Sequence, residues 1–419
     1  MKTILLLGLI TLVSCACAIA GADMPKDQPS TATTINLKEP NTDRQPTNSN
    51  DRDSTEDITT FPVQLGPSGD KPTSAAITPK NGCGGLAPAN GREHNLTEAD
   101  FTTEVINCLI EMTKTTDELV IIHGPKLDTA ILDEIRSAWE VGVKILGNWG
   151  PLTATLVEMN DPDAQLIAEL DCARRIRLKS HTREDCVEEK TSYFNTFTEC
   201  CGAVHDPPEP LAERRAQYFT FASIDEMFKD PGEVAKVFLH EYVHVYQNAG
   251  AVRPNHLRFP GGQGEDEVNV HGFGPVWIEE GAAEYFATRW AMENGFWTKE
   301  RLLSRWTEAI QVARDVRQEH NLGLEDVESR GDQRRVREQC DCGGALYYET
   351  GMVATGWLMN RSDATAVLDY YMKVPHKPWK QVFKDTYGLS IEDFYKEFGA
   401  FLDSPGIDHL SELTMSLKK

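Results

Sequence analysis

The sequence predicts an α+β fold, with a small sheet packed beside a mostly helical half. Three observations carry that expectation. The strand-like runs, apolar or aromatic and β-branched, all lie before Ile224. From Gly232 onward the chain reads as a succession of helices. Strands confined to the first part and helices filling the rest suggest a small sheet packed beside a helical half. With 419 residues, 40% of them hydrophobic, there is material for one large domain or two smaller ones.

The elements follow in chain order. Lys2, the apolar run Ile4 to Val13, and Ala18-Ile19-Ala20 read as a secretory signal peptide over residues 1–20, too short to span a bilayer as a mature helix. Leu12-Val13-Ser14-Cys15 supports a competing reading, a bacterial lipoprotein box in which Cys15 is acylated. The expected location is therefore extracellular, either free or lipid-anchored. Residues 21–82 turn to Thr, Ser, Pro, Asp and Asn and read as a disordered leader or linker, because they cannot bury enough surface to offset their ordering entropy. A cysteine-containing lead-in, 83–117, precedes the main domain at 118–405, and 406–419 form a tail.

Within that domain Glu118 to Gly124 reads as a buried strand and Thr129 to Leu146 as an amphipathic helix. Pro151 to Met159 is a second strand, Asp163 to about Arg177 a helix, and Gln217 to Ser223 a third strand. Helices are then expected over 232–248, 277–294, 299–319, 345–359, 364–373 and 391–402. No further stretch is long and apolar enough for a membrane span.

A net charge of −23 repels phosphate backbones and anionic lipid, which argues against nucleic acid or acidic membranes as partners. Beyond Cys15 and Cys17, eight of the ten cysteines remain, an even number that suits disulfides in an exported chain. A cysteine metal site is the alternative, but neither Cys200-Cys201 nor Cys340-Asp341-Cys342 has the spacing of one. Asn95-Leu96-Thr97 and Asn360-Arg361-Ser362 are glycosylation sequons, relevant only in a eukaryotic host. Cys83, in Asn81-Gly-Cys-Gly-Gly85, reads as a disulfide partner rather than a metal cap, and Glu265-Asp-Glu267 as a solvated loop rather than a calcium site. His256 and His271 lie near the main motif without a reason to choose either.

That motif is His240-Glu241-Tyr242-Val243-His244. Helix positions four apart stand about 40° apart around the axis, so both imidazoles face one way and can share a metal. Neutral imidazole suits Zn²⁺, and two ligands one turn apart leave room for a third and for water. Glu241 projects to the side, where it can take a proton from that water. The bland alternative is a helix that merely carries two histidines. Val234, Val237, Phe238, Val243 and Val245 weigh against it, because they make this a core helix, where such polar groups are costly.

Downstream, Trp277-Ile-Glu279-Glu280-Gly281-Ala-Ala283-Glu284-Tyr285 completes a pattern. On these residues the chain resembles the gluzincin (HExxH…E) group of zinc metallopeptidases, whose domain is of the peptidase MA type and whose second helix reads W-x-x-E-G-x-A-x-Y. The resemblance implies a zincin-like domain with one Zn²⁺ held by His240, His244 and Glu280, with Glu241 as general base. It puts Glu284 one turn after Glu280, where it orients a ligand histidine or stays a surface glutamate. Leu346 to Gly351 is similar to the Y-E-x-G stretch of gluzincin aminopeptidases, which makes Tyr348 the oxyanion-stabilising tyrosine, with Tyr347 as fallback. Trp379 to Phe383, Tyr387-Gly388 and Phe394 to Phe398 resemble the helical tail of these domains.

The resemblance spans roughly Glu118 to Asp403, and it has departures. The stretch between His244 and Glu280 is nearly twice as long as in the aminopeptidases. Its residues 250–275 read as a rim loop. No GAMEN segment, which holds a substrate's amino terminus in those enzymes, is recognisable before His240. Ala291-Met-Glu-Asn294 lies downstream, inside a helix, and is treated as coincidence. The expected function is a peptidase acting on peptide or protein substrates, with endopeptidase activity leading. The alternatives are a zincin-fold binding protein without catalysis and a zinc hydrolase of a non-peptide substrate. The intact Glu241 favours an enzyme. Oligomeric state is left open.

Overall fold

The computed structural model describes residues 13–14, 102–175, 182–197, 201–206, 216–251, 274–340 and 342–404. The leader at 21–82, most of the lead-in with Cys83 and the Asn95 sequon, and the tail from 406 lie outside them. So do His256, Glu265-Asp-Glu267 and His271.

A mixed sheet anchors the first half. Its strands β2 (Val120–His123), β3 (Leu152–Val157) and β5 (Gln217–Ala222) run parallel, with Ile121 opposite Ala154 and Ala154 opposite Phe219. β4 (Gly202–Asp206) joins β5 antiparallel, with His205 opposite Phe219. A two-residue strand β1 (Val13–Ser14) pairs antiparallel with β4, giving the order β1-β4-β5-β3-β2. Every residue of β3 and β5 is buried, as expected for parallel strands covered on both faces. β4 did not announce itself in the sequence. It is short, follows two cysteines and ends in His205-Asp206, so no alternation marks it.

Helices cover both faces. Toward one lie α3 (Ala164–Arg174) and α4 (Arg183–Thr196), tied by the Cys172–Cys186 disulfide, around a small core of Ile122, Val157, Ile167, Tyr193, Phe194 and Val204. Two buried polar pairs also link these helices to the sheet, Thr155 to Asp171 at 2.9 Å and Lys190 to Thr220 at 3.1 Å. The main core fills the other face, where α2 (Thr129–Leu146), the short α5 (Ile224–Phe228) and α6 (Glu233–Ala249) pack with α1 (Thr103–Glu111). Phe238 of α6 meets Phe219 at 5.2 Å and Phe221 at 6.2 Å, seating the helix on the strands.

The second half is helical: α7 (Val276–Glu293), α8 (Lys299–His320), α9 (Arg330–Gln339), the single turn α10 (Gly343–Ala345), a π-helical turn over Leu346–Thr350, α11 (Gly351–Met359), α12 (Ala364–Lys373), α13 (Trp379–Tyr387) and α14 (Ile391–Leu402). The expected helix over 345–359 is thus broken into a wide turn and a regular helix. Gly281 explains where they sit. A β-carbon there would lie 2.2 Å from the backbone of Gly351, so α7 and the start of α11 touch backbone to backbone. Trp277 stacks on Phe394 at 5.1 Å and donates to the Tyr395 hydroxyl at 3.1 Å, fastening α7 to α14. Among the described residues no helix is long and apolar enough to cross a membrane.

Candidate metal centre

Helix α6 is buried almost all round, which no amphipathic stripe requires; it runs through the core with its polar side chains inside. Gly232 at its N-cap has φ 79° and offers no capping side chain. Glu134 of α2 substitutes, its Oε1 accepting from the Ala235 amide at 2.8 Å.

One turn apart on this helix, His240 and His244 bring their Nε2 atoms to 3.2 Å of each other. Glu280 of α7 lies opposite, its Oε2 at 3.4 Å from His240 Nε2 and 3.3 Å from His244 Nε2. These three atoms form a near-equilateral triangle. A tetrahedral zinc with bonds of about 2.0–2.1 Å needs ligand atoms about 3.3 Å apart, so the spacing fits. Each imidazole is held from behind. His240 Nδ1 donates to Glu284 Oε2 at 3.2 Å, and His244 Nδ1 to Gln247 Oε1 at 2.7 Å. Gln247 Nε2 in turn donates to the Glu279 carbonyl at 3.0 Å. With both Nδ1 protons so used, both Nε2 lone pairs face the triangle, the tautomer a metal needs.

Electrostatics favour a cation here. Burial works against charge on His240 and His244, but Glu280 with Glu284 at the first and Glu280 at the second outweigh it, holding both above the usual imidazole range and His244 at about 10. Glu241, Glu279, Glu280, Glu284 and Glu349 are all buried, against Lys236 and the mostly covered Arg305. This excess of buried carboxylate is costly, and a divalent ion offsets it. Both oxygens of Glu241 are buried without a hydrogen-bond partner among the described residues, and burial raises its pKa. A carboxylate so placed is suited to taking a proton.

Tyr348 comes to the same place from the π turn, its ring 5.9 Å from that of His240. Tyr347 points away, its hydroxyl accepting from Arg337 at 2.5 Å, so the fallback tyrosine is engaged elsewhere. Glu284 is not a surface glutamate. Besides His240 it meets Lys236 Nζ at 2.6 Å and Arg305 at 3.2 Å. Burial would raise its pKa, but Lys236, His240 and Arg305 outweigh that and hold it well below the carboxylate range.

Sequence reasoning did not single out four neighbours. Lys236 and Gln247 lie on α6 at helical spacing from the histidines and were within reach of that pattern. Arg305 and His205 come from other elements and left no local signal. His205, on β4, lies parallel to the His244 ring at 6.4 Å and bonds Gln217 at 2.6 Å. β4 reads Gly202-Ala203-Val204-His205-Asp206, and its fourth residue brings this third imidazole beside the pair. A second group, His320, Cys340 and Cys342, brings ligand-type atoms together, but its two sulfurs are bonded to each other and are not thiolates.

Residues 233–354, from the start of α6 into α11, match the family model described as M61 glycyl aminopeptidase. No curated protein matches the chain. The matched segment contains the imidazole pair, Glu280, Glu284 and Tyr348. The chain carries a gluzincin-type zinc metallopeptidase domain.

Proposed function

We propose that the chain is an exported zinc endopeptidase with a zincin-like domain over 118–405, in which His240, His244 and Glu280 hold one Zn²⁺. The single observation that carries the metal assignment is the 3.2–3.4 Å triangle of donor atoms. When bound, the ion supplies Lewis-acid polarisation of the scissile carbonyl and makes water acidic enough to react near neutral pH. Glu241 takes the proton of the attacking water and delivers it to the leaving amine. Tyr348 donates a hydrogen bond to the carbonyl oxygen as charge builds there. Glu284 and Gln247 keep the two imidazoles turned inward.

Two observations support internal cleavage. β4, beside His244, is paired on its outer side by Val13–Ser14 alone, two residues of the expected signal peptide; with that peptide removed, an extended substrate can pair there by its backbone and run on in both directions. Its residue nearest the histidines is His205, which carries no negative charge to hold a substrate's amino terminus. The matched family's name favours aminopeptidase activity instead, and Glu279, buried beside His244, is the carboxylate that would serve it. Export rests on the N-terminal 20 residues and agrees with the Cys172–Cys186 link. N-terminal sequencing of the released protein distinguishes cleavage after Ala20 from an acylated Cys15.

The test is mass-spectrometric mapping of cuts in a peptide library with free and blocked amino termini, using wild type and Glu241→Gln. Internal cuts in blocked peptides, stopped by a chelator and lowered at least about 100-fold in the variant, support the proposal. Loss of single residues from free termini only, abolished by Glu279→Gln, favours the aminopeptidase. No cutting by a chain that binds one zinc favours the binding-protein alternative or a non-peptide substrate.

A further inference from the structure

The π turn presents three consecutive side chains in three directions. Tyr347 goes to Arg337 of α9, and Glu349 to Arg305 of α8 at 2.9 Å; Tyr348, between them, goes to the metal cluster. The same guanidinium nitrogen of Arg305 that meets Glu349 also meets Glu284 at 3.2 Å, and Glu284 holds His240. A single line of charged contacts thus runs from the back of a histidine on α6, through Glu284 of α7 and Arg305 of α8, to the residue adjoining Tyr348. All its members are buried or nearly so, with side-chain exposures of 15% for Arg305, 4% for Glu284 and 6% for Glu349. None can exchange its partner for water without leaving a buried charge unpaired.

We propose that Arg305 is a positioning residue that sets Tyr348 against the metal site, by locking Glu349 of the π turn to the carboxylate that orients His240. This rests on the role given above to Tyr348. The turn's geometry makes the lock effective. A π turn is wider than an α turn and lacks its regular packing, so its rotation is set by what its side chains grip. Glu349 follows Tyr348 directly, so turning one turns the other. Glu349 and Arg305 are mostly covered and bond to one another and to Glu284, so their effect on catalysis runs through the tyrosine and the histidine.

The test uses the full chain with 3-fluorotyrosine at position 348, read by ¹⁹F NMR, together with kinetics on an internally quenched peptide. Wild type should give one ¹⁹F line. Glu349→Gln keeps shape and a hydrogen-bond acceptor but loses the charge, and should shift or split that line. Arg305→Lys, which keeps the charge on a shorter side chain, should do so less. Should Arg305→Met fail to fold, these two milder variants still decide. In kinetics, Glu349→Gln should lower kcat about 10- to 100-fold, less than deleting an oxyanion donor outright. KM should stay within about 3-fold and zinc at one per chain. In a Tyr348→Phe background the same substitution should change kcat less than about 2-fold, because the two act as a unit.

An unshifted line in every variant overturns the inference whatever the rates. So does an equal fold-loss in both backgrounds, which is what loosened structure alone would produce. A Tyr348→Phe variant with full activity removes the tyrosine's role and this inference with it, while leaving the zinc peptidase standing. A wild type that cuts no peptide overturns the peptidase reading, and the ¹⁹F line still decides the positioning.

Discussion

Glu284 gathers two cations and an imidazole N–H around one carboxylate: Lys236, Arg305 and the Nδ1 proton of His240. Its folded pKa is well below the ordinary 4.5. A depressed carboxyl stabilises the fold above its unfolded value and stops doing so as the pH falls through the folded one. Glu284→Gln is therefore expected to cost about 3–5 kcal/mol near pH 7, because it strands buried positive charge. The gap from wild type should close as the pH falls well below 4.5, which urea unfolding across pH measures. At Gln247, replacement by Ala should weaken zinc binding about 10- to 100-fold, read by competition with a chromophoric chelator, because His244 loses the partner that fixes its tautomer. The residue scale is where the sequence was most legible. His240, Glu241 and His244 are related by helical periodicity alone, and Glu280 by a second helix of recognisable pattern. Arg305 and His205 were not legible, because what brings them to the site is tertiary packing rather than spacing along the chain.

Among the elements, those with clear ends were readable. The helix expected over 129–146 forms over those residues, with the Asp128 side chain accepting from the Ala130 amide at its start and Gly147 after it. α9 was missed because Val336 is its single bulky apolar residue in a run of Arg, Gln and Asp, so no stripe shows; a capping box at Ser329 and Asp332 starts it instead. The π turn was read as ordinary helix, since nothing in Leu-Tyr-Tyr-Glu-Thr declares a wider pitch. Two glycines explain how α7 and α11 meet. A methyl group at Gly281 gains about 1 kcal/mol of helix propensity. It would also have to occupy space 2.2 Å from the Gly351 backbone, which cannot move as a side chain would. The clash wins. Gly281→Ala is expected to destabilise by about 1–3 kcal/mol and to lower zinc affinity by moving Glu280, seen as a lower Tm and a weaker metal titration.

For the molecule as a whole, the sheet separates two cores of different duty. The small one, under α3 and α4, holds no residue of the candidate site. Replacing Cys172 and Cys186 by Ser should cost about 2–4 kcal/mol of stability, given the short loop they close. KM and kcat should be unchanged at temperatures where the variant stays folded. Metal removal should act on the other core. A ligand held at a thousand times its Kd stabilises by about 4 kcal/mol, so a chelator should lower Tm by several degrees and added Zn²⁺ should restore it.

On the ribosome, α6 and α7 emerge long before Gly351 does, so α7 can seat against α6 but lacks α11 until that glycine has left the tunnel. A growing chain therefore carries the three donor residues before the π turn that brings Tyr348 and the helix that braces α7. The order of synthesis thus leaves a half-made copy incomplete at the candidate site until Tyr348 has emerged.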